Sequence, residues 1–205
     1  MLRFSGLVSV LVAVLMGLVA AMHETPAGLA QEATPAAGVV LPPEAEVDGV
    51  NLAAWSARSW QWSFSFPQDI NPAFDTTGEV CGYGQSGPVF FLAGSERSVE
   101  RSCVIPQGVY VFVPLLGSEC SIVEPPPFFG RDEADLRRCA SDAVDHAQSA
   151  FDMSEMALTV DGETIAGLAS YRTLTPLFRL WLPEENLLGS SRRSPNRWPM
   201  ATRSC

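Results

Sequence analysis

Four cysteines in the body of the chain, Cys81, Cys103, Cys120 and Cys139, constrain its fold more than any other feature. Four thiols allow three pairings. We expect Cys81 with Cys103 and Cys120 with Cys139, because each pair then closes a loop of about twenty residues. Closing such a loop is worth roughly 3 kcal/mol in the chain-entropy account. Zinc is a poorer reading: no C-x-x-C occurs, and zinc ligands come in close-spaced pairs. A fifth cysteine, Cys205, is left over.

Disulfides persist in oxidising compartments, and the N-terminus points to one. Arg3 precedes an apolar run from Leu7 to Met22, and small residues follow at Gly28 and Ala30. Residues 1–30 read as a secretory signal, cut after Ala30 in preference to Ala21. An uncleaved anchor is the alternative, since the uncharged run over 4–22 approaches the ~20 residues that span a bilayer. Residues 31–48, rich in Pro, Ala and Glu, read as a disordered linker. The remainder, about 175 residues, suits one domain. We place a single globular β-rich domain at 49–188 and a disordered basic tail at 189–205.

The formal charge is −10, and all 13 basic residues are arginine. Such a domain lacks the basic face that phosphate contacts need, so nucleic acid is excluded as a partner. Membrane contact is expected only through the signal segment, if that is retained. The acidity serves solubility.

Periodicity supplies two helices. Leu52, Trp55, Ser59 and Trp62 share one face of a helix at about 50–63 that ends before Pro67. A second helix, at about 132–150, has Asp132 as its cap and acids in its first turn. Its apolar stripe runs through Leu136, Cys139 or Ala140, Ala143, Ala147 and Phe151. Strands are expected at "GPVFFLAGS" and "GVYVFVPLLG", with a connection and a short edge strand at "ERSVERSCVIPQ". "PPPFFG" is a rigid turn. "MALTVDGETIAGL" is a hairpin about Asp161-Gly162, and "SYRTLTPLFRLWLP" is extended and broken at Pro176. The class expected is α+β and β-rich: a disulfide-stapled antiparallel β-sandwich, Ig-like or jelly-roll-like, with these two helices.

Several chemistries can be tested against the sequence. Gly82, Gly84 and Gly87 spell G-x-G-x-x-G, but a dinucleotide fingerprint follows a strand and opens a helix. Here the glycines follow a loop and lead through Pro88 into a strand, so they read as the approach to a core strand and no cofactor is expected. His146 has Asp142 four residues before it and Asp145 beside it, two ligands at most, and a solvated helix face is the better reading; no metal is expected. No G-x-S-x-G elbow exists. Paired carboxylates could serve a hydrolase, yet sequence cannot place Asp75, Glu79, Glu119 or Glu124 in space. Trp55, Trp60 and Trp62 could stack sugars, although aromatic clusters are more often core.

The motif W-x-A-R-x-W-Q-W at Trp55–Trp62 is followed by N-P-x-x-D-x-T-G at Asn71–Gly78 and by C-x-x-G-Q-x-G-P at Cys81–Pro88. Further on stand Arg101, Cys103, Pro106, Gly108, Cys120-Ser121, Asp161-Gly162, Tyr171-Arg172, Pro176 and Phe178. In these residues, over about 50–188, the chain resembles a family of bacterial exported proteins to which no activity is attached. It departs from the family pattern at Ser118, where the family carries Asn. The resemblance implies export and the four-cysteine scheme.

The family pattern continues with a segment like A-D-G-Y and two final strands, whereas this chain ends "NRWPMATRSC". Codons for Trp198-Pro199-Met200-Ala201-Thr202, read from the last base of each, are able to spell Ala-Asp-Gly-Tyr. Residues from about 189 onward are therefore expected to be out of frame, leaving the domain without its last strands; a natural basic tail is the alternative. The nucleotide sequence beyond Leu188 decides between them.

The leading functional expectation is a secreted or extracytoplasmic, non-catalytic binding or structural domain at the cell envelope. Its partner would be envelope polysaccharide or protein, met on a surface that includes Trp55, Arg58, Trp62, Asp75 and Gln85. The alternatives are a secreted hydrolase of envelope polymers using loop carboxylates, and a truncated product without function.

Overall fold

The computed structural model describes residues 40–150 and 156–189, and the backbone of 198–204. The signal segment and residues 31–39 of the linker lie outside the described residues.

The chain turns tightly at Asp48-Gly49, where φ is +51° and +69°. Two successive positive φ values make the tight turn that Asp-Gly favours. It joins β1 (Glu46–Val47) to β2 (Val50–Asn51), paired antiparallel. The expected linker therefore ends sooner than residue 48. Val47 is buried and its carbonyl accepts from Trp55 Nε1 at 3.2 Å.

Asn51 then caps α1 (Leu52–Phe64), its side chain accepting from the Ala54 amide at 3.0 Å. The expected stripe is buried at Trp55, Ser59 and Trp62, and a second face is buried at Ala57 and Phe64. The helix thus separates two cores. Trp55 and Trp62 pack with Val47, Val89 and Phe91 on one side; Ala57 and Phe64 pack with Phe178 and Leu180 on the other. Trp60, off the first stripe, stacks on Phe64 at 5.5 Å between ring centroids.

The strand expected at "GPVFFLAGS" is β3 (Val89–Phe91), buried at every position. It pairs with β4 (Tyr110–Phe112), and the pair is parallel. The crossover between them holds no strand, so the edge strand expected at "ERSVERSCVIPQ" is absent there. The chain needs this length to return to the same end of β3. Cys103 in the crossover is bonded to Cys81, with 6.0 Å between Cα atoms.

β5 (Gly117–Ser121) begins the larger sheet, and the turn through Pro125–Phe128 follows it, with the Ser121 amide donating to Phe128 O. α2 (Glu133–Ala150) lies within one residue of its expected bounds, and Asp132 Oδ1 caps it at the Asp135 amide, 2.9 Å away. Its buried residues are Leu136, Ala140 and Val144, at strict four-residue spacing. Ala143 is only half-buried, and Phe151 is outside the described residues. Cys120 and Cys139 are bonded, with 6.1 Å between Cα atoms, and pin α2 to β5. Cys120, Leu136 and Ala140 form the third core. Both pairings follow the sequence expectation.

β6 (Leu158–Val160) and β7 (Glu163–Ile165) form the expected hairpin, with φ +51° at Asp161 and +85° at Gly162. β8 (Thr173–Leu174) and β9 (Phe178–Leu180) flank Pro176. The last strand, β10 (Trp198–Ser204), is the centre of a four-stranded antiparallel sheet. It pairs with β5 along one side and with β9 and then β8 along the other. Residues 198–204, which fall in the expected tail, are thus placed as a paired strand. Ladder bonds join backbone groups, so an open strand edge accepts a segment of almost any composition. Even Pro199 is placed permissibly: it pairs with Arg179 of β9, and the β5 ladder starts one residue later at Met200. Residues 190–197 and Cys205 lie outside the described residues.

The class is α+β with two helices. Besides the four-stranded sheet, the described strands form three two-stranded pairs. Two facing sheets of a sandwich are not seen among them, because the short strands are distributed over three small cores rather than one.

Candidate functional site

The residues expected to form a binding surface are mostly turned inward. Trp55 and Trp62 are buried, and each indole N–H is bonded to a carbonyl, Trp62 Nε1 to Tyr83 O at 2.8 Å. Both rings meet Phe91, at 6.1 and 5.8 Å between centroids. At 7% exposure each, and with Arg58 over the Trp55 ring, they present little surface to a sugar. Gln85 bridges two backbone segments: its amide nitrogen donates to Cys81 O and Phe91 O, and its oxygen accepts from the Phe91 amide at 2.9 Å. It holds the Gly84–Gly87 loop against β3, and no helix follows those glycines.

Asp75 organises a turn. Its carboxylate accepts from the amides of Thr77, Gly78 and Val80 and from the Thr77 hydroxyl. Burial opposes the charge and is the largest single influence, but the four hydrogen bonds together outweigh it and hold the pKa at about 2. Gly78 follows with φ +97°, and a Cβ there would sit 2.3 Å from Ser102 O. Arg101 closes the same loop by donating to the carbonyls of Asp75, Ala93 and Ala73. Asn71, itself buried, ties this loop to the end of α1 through Ser63 O at 2.7 Å. Of the five expected residues only Arg58 is exposed, its guanidinium 4.4 Å over the Trp55 ring.

His146 and Asp142 are exposed on α2, while Asp145 is ion-paired with Arg172. Among the described residues no group of three His, Cys, Asp or Glu is placed to hold a metal.

Two features remain that sequence did not single out together. The first is an acid pair. Glu119 on β5 and Glu124 in the following turn come within hydrogen-bonding reach of each other. Ser121 Oγ donates to Glu124 Oε2 at 2.8 Å and accepts from the Val123 and Glu124 amides. Burial first, then the Glu124 charge and the bond to it, push Glu119 well above the usual carboxylate range. Burial also raises Glu124, offset in part by its bonds from Glu119 and Ser121. Each carboxyl is thus raised by burial, and Glu119 further by the neighbouring Glu124 charge. The Oε2 of Glu119 is buried without a hydrogen-bond partner among the described residues.

The second is an open groove of about 410 Å³ between α1 and β9, lined by Gln61, Leu177, Phe178, Arg179 and Trp181. Phe178 is buried and forms its floor, while Trp181 is 59% exposed. Gln61 Nε2 donates to Arg179 O at 2.9 Å, which fixes the amide. Among the described residues no acid lines the groove and Arg179 makes no ion pair.

No family model, curated protein or solved structure matches this chain. The site must therefore be judged on its own chemistry. The groove offers an aromatic face, a cation and an amide in the open. The acid pair offers two carboxyls raised by burial, with one buried oxygen lacking a partner among the described residues.

Proposed function

We propose that the protein is an exported, disulfide-stapled binding domain that acts at the cell envelope without catalysing a reaction. The observation that carries this reading is the groove, where Trp181 stands exposed beside Arg179 and no carboxylate is among the described lining residues. Support also comes from the two disulfides, which fit an oxidising location. The signal-like N-terminus and the resemblance to exported proteins point the same way. The motif residues of that resemblance act on the fold: Asn71, Asp75, Gln85 and Arg101 all hold backbone. Co-sedimentation with insoluble envelope polysaccharide tests the proposal. Retention is expected in the pellet, lost in Trp181→Ala, with no soluble fragments released.

The acid pair favours a second reading, a hydrolase in which protonated Glu119 and Glu124 act on a polymer. Release of reducing ends from the same polysaccharide, abolished in Glu124→Gln, would establish it. The sealed oxygen of Glu119 and the distance in sequence from the groove residues weigh toward the binding reading.

A further inference from the structure

We infer that the groove between α1 and β9 takes an acidic sugar, with a ring stacked on Trp181 and its carboxylate on Arg179. The inference rests on the binding reading above and names the ligand class for that site.

About 410 Å³ is within the range of small-molecule sites, which are concave, largely apolar and furnished with a few aimed polar groups. Trp181 and Leu177 supply exposed apolar surface on a floor of Phe178. An indole in this position presents a flat face that accepts the C–H side of a sugar ring, and it does so at low conformational cost.

The polar groups narrow the class. Gln61 spends its N–H on Arg179 O, so the amide is fixed and its oxygen is left as an acceptor for a ligand hydroxyl. That bond also ties β9 to α1 beside the guanidinium. Other arginines are committed: Arg101 to three carbonyls, Arg137 to Glu133 and Thr175 O, Arg172 to Asp145 and Gln148. Arg179 has no such partner among the described residues and stands in the groove itself. A guanidinium matches a carboxylate by two parallel bonds. On a chain of net charge −10 the general field repels anions, so an acidic ligand is held only where a local cation meets it. Short oligosaccharides are favoured over long polyanions for the same reason.

The test uses the full exported chain, with tri-galacturonic acid and uncharged galactotriose as probes, read by tryptophan fluorescence and calorimetry. Expected is saturable binding with preference for the acidic trimer. Trp181→Ala abolishes it and Trp181→Phe retains part. Arg179→Gln lowers affinity for the acidic trimer about tenfold, to the level of the neutral one, as loss of a charge-assisted bond implies. These side chains are at the surface, so unchanged melting temperatures separate lost binding from lost folding. Equal binding of both trimers, or a preference that survives Arg179→Gln, overturns the acidic class while the binding reading stands. Preference for a phosphorylated trisaccharide over the carboxylated one overturns it in the same way. If neither trimer binds but the protein still sediments with envelope polysaccharide, the inference alone fails; if sedimentation fails too, so does the binding reading.

Discussion

Residues 46–112 and residues 117–204 treat their polar side chains in opposite ways. In the first stretch they hold backbone. Asn71 bonds Ser63 O, Asp75 gathers three amides, Gln85 bridges Cys81 and Phe91, and Arg101 spans three carbonyls. In the second stretch several groups are left with chemistry to spare. Glu119 is raised well above the usual carboxylate range and has a buried oxygen without a partner among the described residues, Trp181 lies open, and Arg179 makes no ion pair among the described residues. The motif-rich stretch thus spends most of its polar groups on backbone, while the plainer stretch, together with Gln61, lines the open groove.

The largest effect should come from removing β10. Deleting residues 190–205 takes the centre from the four-stranded sheet and unpairs β5, β8 and β9 together. We expect a loss above about 4 kcal/mol, beyond the usual range of single substitutions, seen as loss of a cooperative urea transition. A deletion with near-normal stability would show that the first stretch folds without that sheet.

The two tryptophans sharpen the contrast next. Trp62→Ala removes a buried ring and its bond to Tyr83 O, at about 3–5 kcal/mol in chemical denaturation. Trp181→Ala should move stability by no more than about 0.5 kcal/mol, as an exposed site does, while losing polysaccharide binding. Comparable destabilisation by both would dissolve the division into scaffold and surface.

Replacing Cys81 and Cys103 by serine together should cost about 3 kcal/mol, from the freedom returned to the unfolded loop. The matched pair, Cys120 and Cys139, spans a separation of 19 against 22 and should cost the same. A much larger cost for one staple would identify the half that depends on it.

Dependence on pH should carry opposite signs in the two stretches. Asp75 is depressed to about 2, so its stabilisation is complete above the unfolded value of 3.8 and is lost as pH falls toward 2. Discounted for its partial exposure to solvent, this amounts to about 1 kcal/mol, absent in Asp75→Asn. Glu119 and Glu124 are raised, so their contribution is complete below the unfolded carboxylate value and fades as pH rises through the folded one. Glu119→Gln should therefore gain stability relative to the parent as pH increases, a trend that melting curves from pH 3 to 8 will reveal. A parallel pH profile for parent and variant would count against a raised Glu119.

Local rules made much of this legible. α2 and its cap were readable because apolar residues recur every four positions after Asp132. The hairpin at Asp161-Gly162 was readable because two positive φ values need that dipeptide. The same signal at Asp48-Gly49 was present and passed over in favour of composition. The second buried face of α1 was not readable, since Ala57 and Phe64 become core only when β9, more than a hundred residues away, packs on them. The groove is built by that same encounter, so Trp181 carried no mark that set it apart from Trp55.

By itself the sequence determined the two helices, the staple partners, the tight turns and the structural use of the glycine-rich loop. Each follows from forces acting over a few residues or from the short loops that thiols close most readily. Only the tertiary structure decided that β3 and β4 run parallel, that β10 is central, that Glu119 meets Glu124, and that Trp181 rather than Trp55 faces water. Those outcomes depend on burial and on backbone pairing between distant segments, and neither leaves a local periodic trace in the chain.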